Sequence, residues 1–329
     1  MSQAEGQDRL PSIHDPTISV VIITYNQKDT IHEAFGSVVS QDYLGNWEII
    51  VADDCSKDGT TRILQTLAIA RQRPSIRLLT SPQNLGAARN SRRALEAARG
   101  TYVAYLDGDD YWTDASKLAI QAAYLDSHPE CAAVGHSTRI IERETDSGDL
   151  RFDFQGRKLL TRSEVLKGEF PHLSSLMFRR LALPTTPLWF DRLRGNDWLM
   201  CCLLAEDGDI GMIELPMSVY RRNEQSSWYP LPFAIRKTDI LCQKLALRSH
   251  VPSTCDELTS KHLEPLYSVV FSALLRSKSP RLLGSLAGTL YKEDPSGFSF
   301  QLARWFRQQT ATRVRKMFRY IRSKATHRC

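Results

Sequence analysis

Residues 18–24 read ISVVIIT and residues 101–110 read TYVAYLDGDD. Each is an apolar run that breaks off into polar residues, the pattern of a strand buried on both faces. The same pattern lies between them. Residues 47–52, WEIIVA, form a second strand, and 76–79 a short third. Ile31, Phe35, Val38 and Val39 recur at helical spacing. Asp58 caps a helix running through Ile63, Leu64 and Leu67, and 87–99 is helical with its stop at Gly100. This alternation predicts an α/β fold with a doubly wound, mostly parallel sheet flanked by helices. Ligands of such sheets sit beyond the C-terminal strand ends. Those ends carry Thr24-Tyr25-Asn26, Asp53-Asp54 and Asp107-Gly108-Asp109-Asp110.

Outward from this block, 114–125 reads as a helix, 142–158 as a polar loop or edge hairpin, 174–179 as a strand and 197–205 as a helix. From Pro230 onward the pattern is helical. Three regions are expected: a disordered lead-in over 1–16, a sheet domain over 17–228, and a helical C-terminal region over 229–329. Of the 329 residues, 43 are Lys or Arg and 37 are Asp or Glu, a net charge of +6. The segment 295–329 holds nine of the basic residues and no acidic one. The body is therefore mildly acidic, which argues against nucleic acid as a partner. Leu302, Phe306, Val314, Met317, Phe318 and Ile321 fall broadly on one helical face, with Trp305 off it. A basic helix of this kind is expected to lie on a membrane surface. The alternative is a helix packed on the protein with a solvated basic face. Seven cysteines, an odd number without a C-x-x-C pair, argue against a disulfide framework and structural zinc. No secretory signal or membrane-spanning run is present, so a cytoplasmic setting is expected.

The dinucleotide fingerprint G-x-G-x-x-G, the P-loop, H-E-x-x-H and G-x-S-x-G are all missing. Asp54, Ser56, Asp58 and Gly59 mimic the start of a calcium loop, but Gln65 stands where its closing glutamate belongs. Asp107-Gly108-Asp109 can aim two carboxylates at one hard cation, Mg²⁺ or Mn²⁺. A solvated acidic turn is the plainer alternative. Asp53 and Asp54 can accept hydrogen bonds from a base or ribose, or serve as turn residues. Tyr25 can stack on a base or simply pack.

The order ISVVIITYNQ, EIIVADDCSKDGT, SPQNLGAARN, GTYVAYLDGDDYWTDASKL resembles family 2 glycosyltransferases with the GT-A type of nucleotide-sugar-binding fold. The resemblance runs over roughly residues 17–228. It implies that Thr24, Tyr25 and Asn26 contact the base and ribose, with Asp54 at the uracil and Asp53 beside it. It places Asn84, Gly86 and Arg89 near the base and diphosphate, with Gly108 in the same donor site. Asp107 and Asp109 become the metal ligands, Asp109 the more certain. Gly195-Asn196-Asp197-Trp198 resembles the motif whose aspartate deprotonates the acceptor, which makes Asp197 the catalytic base. Helix capping is its alternative role. Two departures stand out: Asn196 replaces a common glutamate, and Asn223 replaces a frequent histidine. Trp228 is a candidate lid residue. His172 is kept as a weak acceptor-side candidate, and Cys201 and Cys202 are read as core.

The resemblance implies an inverting, metal-dependent transfer from a nucleotide-sugar, UDP foremost, to a glycan or lipid-linked acceptor of a bacterial surface polysaccharide. The enzyme is expected in the cytoplasm or peripherally on the inner face of the membrane. A nucleotidyltransferase, a non-catalytic sugar-nucleotide-binding protein and a scaffold protein using the basic tail are the rivals.

Overall fold

The computed structural model describes residues 17–69, 74–142, 145–151, 156–183, 186–195, 197–222, 231–276, 299–305 and 307. The expected lead-in, Asn196, the stretch from Asn223 through Trp228, and the tail beyond 307 lie outside the described residues. Two compact units divide the chain at 229/230.

The first unit opens with β1 (Ile18–Thr24), α1 (Ile31–Val39), β2 (Trp47–Asp53), α2 (Thr60–Ile69), β3 (Ser75–Thr80), α3 (Ala87–Ala97) and β4 (Tyr102–Asp107). It continues with β5 (Tyr111–Trp112), α4 (Lys117–Ser127), β6 (Cys131–Glu142), β7 (Thr145–Arg151), β8 (Leu159–Leu160), α5 (Arg162–Lys167), β9 (Met177–Arg179), α6 (Asp197–Leu204) and β10 (Asp209–Arg222). The described strands form one sheet in the order β3-β2-β1-β4-β9-β6-β10-β5, with β7 beside β6 and β8 beside β10. The first four strands are parallel and in register, Ile18 facing both Trp47 and Tyr102. Every residue of β1 and β2 is buried, as helices on both faces require.

Beyond β4 the sheet is mixed. β9 runs antiparallel to β4 and β6, so residues 172–176 pass the C-terminal end of β4, where Leu176 O accepts the Tyr105 N–H at 3.1 Å. β10 runs parallel to β6 and antiparallel to β5, pairing Val219 with Tyr111. These two placements bring later parts of the chain to the strand-end carboxylates.

Local departures from the sequence pattern have local causes. The helix expected from residue 114 starts at Lys117, because the Asp114 carboxylate takes the Ser116 N–H at 2.8 Å and closes a turn first. The strand expected over 174–179 begins at Met177; Leu173–Ser175 is a 3₁₀ turn in which His172 O accepts the Ser175 N–H and hydroxyl. The polar 142–158 stretch contributes β7 as an edge arm on β6. Cys201 and Cys202 are buried in α6.

In the second unit, α7 (Phe233–His250) and α8 (Ser260–Arg276) bury Leu241, Leu245, Leu263, Val270 and Phe271. Trp305, off the expected amphipathic face, is buried and meets Phe271 edge-on at 6.1 Å. No described helix is long and apolar enough to cross a membrane.

Candidate active site

Two loops meet at the ends of β1 and β2. Asn26 adopts a left-handed φ of 52°. Its N–H donates to Ser56 Oγ at 2.8 Å, and its Oδ1 accepts the Lys57 N–H at 2.8 Å. Tyr25 stands on this rim, 45% exposed. Asp53 is buried and accepts the hydroxyls of Ser56 and Thr61. Asp54, also buried, accepts the N–H groups of Leu85 at 2.7 Å and Gly86 at 2.8 Å. The carboxylate expected to face a base thus also shapes the turn into α3, where Gly86 has φ +86°. Asn84 Nδ2 adds a contact to Asp54 O at 3.3 Å. About two of the carboxylate's roughly four acceptor positions remain for other donors.

Arg89, expected near the diphosphate, donates to Asp191 at 3.1 Å and is 56% exposed. Arg92 grips the same carboxylate and also reaches Thr186 and Pro187 O. Both arginines therefore tie α3 to the segment just before α6.

The acidic turn after β4 is the centre of the site. Gly108 is there because a Cβ would lie 2.4 Å from Gln27 Oε1 and 2.9 Å from Thr24 Cβ. The Asp107 N–H donates to Ser174 Oγ at 3.2 Å, and Ser174 Oγ donates to Asp110 Oδ2 at 2.6 Å. Asp110 Oδ1 accepts the Arg221 N–H at 3.0 Å. His172 Nδ1 lies 3.6 Å from Asp110 Oδ2, its ring tilted against Tyr220 at 4.4 Å. Ligand atoms of Asp107, Asp110 and His172 all fall within 4.8 Å of one another. Asp109, the more certain ligand by sequence, is outside that closest group. Burial holds the carboxyls of Asp107 and Asp110 well above the usual range, and neighbouring carboxylates push the same way. Asp109 is raised by burial too, against the opposing pull of Arg221 and Gln27.

Asp197 begins α6, which Trp198 anchors through a 2.7 Å bond from its indole N–H to Val165 O. The Asp197 charge acts on Asp107 and Asp109, raising both. The fold therefore gathers Thr24, Tyr25, Asn26, the Asp107–Asp109 turn and Asp197 at one end of the sheet.

These residues suit a hard divalent cation. Crowded carboxylates destabilise one another unless a positive charge joins them. Thr24 Oγ1 and Gln27 Oε1 are buried beside Gly108 with no hydrogen-bond partner among the described residues. Oxygen donors of this kind match Mg²⁺ or Mn²⁺. Sequence reasoning gave no role to Gln27, Asp110 or Arg221. Asp110 was named only as the end of the acidic run, and Arg221 only within Val219-Tyr220-Arg221-Arg222-Asn223, which resembles a V-Y-R-x-H segment; Gln27 carries no local signal.

TuaG of Bacillus subtilis, named for teichuronic acid biosynthesis, is 43% identical over 217 residues, covering 66% of this chain and 72% of that protein. WfgD of Escherichia coli, named a UDP-Glc:alpha-D-GlcNAc-diphosphoundecaprenol beta-1,3-glucosyltransferase, is 38% identical over 214 residues, covering 64% of this chain and 79% of its own. The chain spans only 60% of the uncharacterized mycobacterial proteins it matches at 36% identity. Among solved structures, the mannosyltransferase PcManGT from Pyrobaculum calidifontis, in complex with GDP-Man and Mn²⁺, superposes with a TM-score of 0.59 at 18% identity, covering 90% of this chain and 88% of that one. At that identity the likeness speaks for the fold, the GT-A type. The family described as Glycosyl transferase family 2 matches residues 19–184, half of the sequence, and the chain belongs to it.

Proposed function

We propose that this chain moves a sugar from a UDP-sugar to a hydroxyl of a glycan or lipid-linked glycan, with inversion at the anomeric carbon, in surface polysaccharide assembly. The observation that carries this reading is the acidic turn at the end of β4, where ligand atoms of Asp107, Asp110 and His172 fall within 4.8 Å of one another, with Asp197 at the start of α6. A single displacement needs a base for the acceptor hydroxyl and positive charge at the departing diphosphate, roles that Asp197 and the acidic turn can supply. WfgD, a relative at 38% identity, bears a name that specifies a UDP-sugar donor and a diphosphoundecaprenol-linked acceptor.

Asp197 takes the proton of the acceptor hydroxyl as its oxygen bonds to the anomeric carbon. The bond from that carbon to the diphosphate oxygen breaks with its electron pair. Tyr25 and Asn26 frame the nucleotide, and Asp54 keeps acceptor capacity for a base N–H. Asp107 and Asp109 would hold Mg²⁺ or Mn²⁺, with Thr24 and Gln27 adjoining. When bound, the cation supplies positive charge against the departing diphosphate.

Calorimetric titration of UDP, GDP and dTDP, with and without Mn²⁺, tests the donor site. UDP is expected to bind in a metal-dependent way that Asp109→Ala abolishes. Asp197→Asn should keep that binding yet lower turnover by about 10²–10⁴-fold. Absence of nucleotide binding under every metal condition would refute the donor site. Unimpaired turnover in Asp197→Asn would remove the base.

A further inference from the structure

We infer that Arg221 is a positioning residue for the acidic turn, aiming the Asp107 and Asp109 carboxylates through the backbone of Asp109 and the side chain of Asp110. This rests on the metal-cradle reading above.

Arg221 lies at the end of β10 and is only 8% exposed. Its Nη1 donates to Asp109 O at 3.0 Å. Its backbone N–H donates to Asp110 Oδ1 at 3.0 Å. Its Nη2 pairs with Glu33 on α1. The guanidinium carbon sits 4.5 Å from the Tyr111 ring centroid. One residue therefore joins α1, the turn after β4 and β10. Asp110 is gripped on its other oxygen by Ser174, which also receives the Asp107 N–H. With both ends of the turn held, the peptide between Asp107 and Asp110 has little freedom to rotate.

The contact set calls for arginine. A planar fork reaches Asp109 O and Glu33 at once while lying over Tyr111. A lysine ammonium presents its donors from a single nitrogen on a flexible stem and lacks the fixed planar fork. The neighbouring Arg222 supplies a control. It pairs with Glu142 at 2.9 Å and has no hydrogen bond or ion pair to the acidic turn among the described residues.

The test uses the full chain as wild type, Arg221→Lys, Glu33→Gln and Arg222→Lys. Three quantities are read: Mn²⁺ affinity by electron paramagnetic resonance of the free ion, UDP affinity in Mn²⁺ by calorimetry, and thermal midpoint without metal. Arg221→Lys should fold with a midpoint near wild type yet bind Mn²⁺ and UDP at least about tenfold more weakly, since small misplacements of site groups are costly. Its kcat should fall more than its KM for donor rises. Glu33→Gln should show a smaller loss of the same kind, and Arg222→Lys none. Wild-type affinities in Arg221→Lys would overturn the proposal. So would a loss that merely tracks the fraction unfolded, or an equal loss in Arg222→Lys. If wild type itself shows no metal-dependent UDP binding, the metal-cradle reading fails and the Arg221 role falls with it, a result distinct from an undiminished variant.

Discussion

Lys117 is fully buried, with its Nζ donating to Gln121 Oε1 at 2.6 Å and lying 4.0 Å from the Trp112 ring centroid. Gln121 passes the contact on, donating to Val134 O at 3.1 Å and Ser175 O at 2.8 Å. Trp112 donates to Ser174 O at 2.9 Å. The lysine thus stands behind the segment that supports the acidic turn. Burial pushes its pKa well below the ordinary 10.5. Between that lowered value and 10.5 the unfolded chain binds the extra proton, so this group makes stability rise with pH. The contribution is complete above 10.5 and disappears as pH falls through the folded value. Lys117→Met cannot titrate. The stability of wild type relative to Lys117→Met should therefore grow as pH rises from about 7.5 to 10, by at most ~1.4 kcal/mol per pH unit. Parallel stability curves from chemical denaturation across that range would show that the lysine stays protonated inside.

At the scale of elements, the opposite end of the sheet is held by a buried polar knot. Glu48 on β2 is 1% exposed and pairs with Arg77 at 3.1 Å and Arg99 at 3.0 Å. Ser19 on β1 donates to Glu48 at 2.7 Å and accepts the Gly100 N–H at 2.8 Å. Read from sequence, Gly100 is only a helix stop. In the fold it lets β1 and β4 approach: a Cβ would lie 2.5 Å from Ser19 N, 2.7 Å from Ile18 C and 2.8 Å from Tyr102 O. All three are backbone atoms, so no rotamer change relieves the clash. Gly100→Ala should cost about 1–3 kcal/mol by urea denaturation, the usual penalty of overpacking. Since the knot lies at the strand ends remote from Asp107, UDP affinity of the folded fraction should stay unchanged. An unaltered urea midpoint would mean the strands part freely.

For the whole molecule, charge is the dominant asymmetry. Nine Lys and Arg and no acid fall in 295–329, while the remainder holds 34 basic and 37 acidic residues. A lipid-linked acceptor would present its sugar at a membrane face, and a basic segment there would keep the enzyme beside it. The full chain should co-sediment with vesicles rich in anionic lipid and not with neutral ones, and salt of about 0.5 M should release it. Failure to bind anionic vesicles at low salt would discard the peripheral-membrane role and favour the alternative of a packed helix with a solvated basic face.

The sequence by itself determined the strands read at 18–24, 47–52 and 101–106, within a residue of the observed Ile18–Thr24, Trp47–Asp53 and Tyr102–Asp107, because a run buried on both faces must be apolar along its length and so is written locally. The carboxylates at their ends followed from the same runs. Only the tertiary structure decided what surrounds those carboxylates. Ser174 and Arg221 reach Asp110 from 64 and 111 residues away, carried by the antiparallel β9 and the long β10. β6 and β10 escaped the sequence reading because their buried runs are interrupted by the polar residues His136, Ser137, Thr138 and Ser218, and only the fold brings Thr138 and Ser218 together across the two strands at 2.9 Å. Likewise, no local pattern reveals that Asp54 bonds the Leu85 and Gly86 backbone or that Arg89 turns to Asp191. Pairing register is a property of the assembled sheet, and composition along one strand does not encode it.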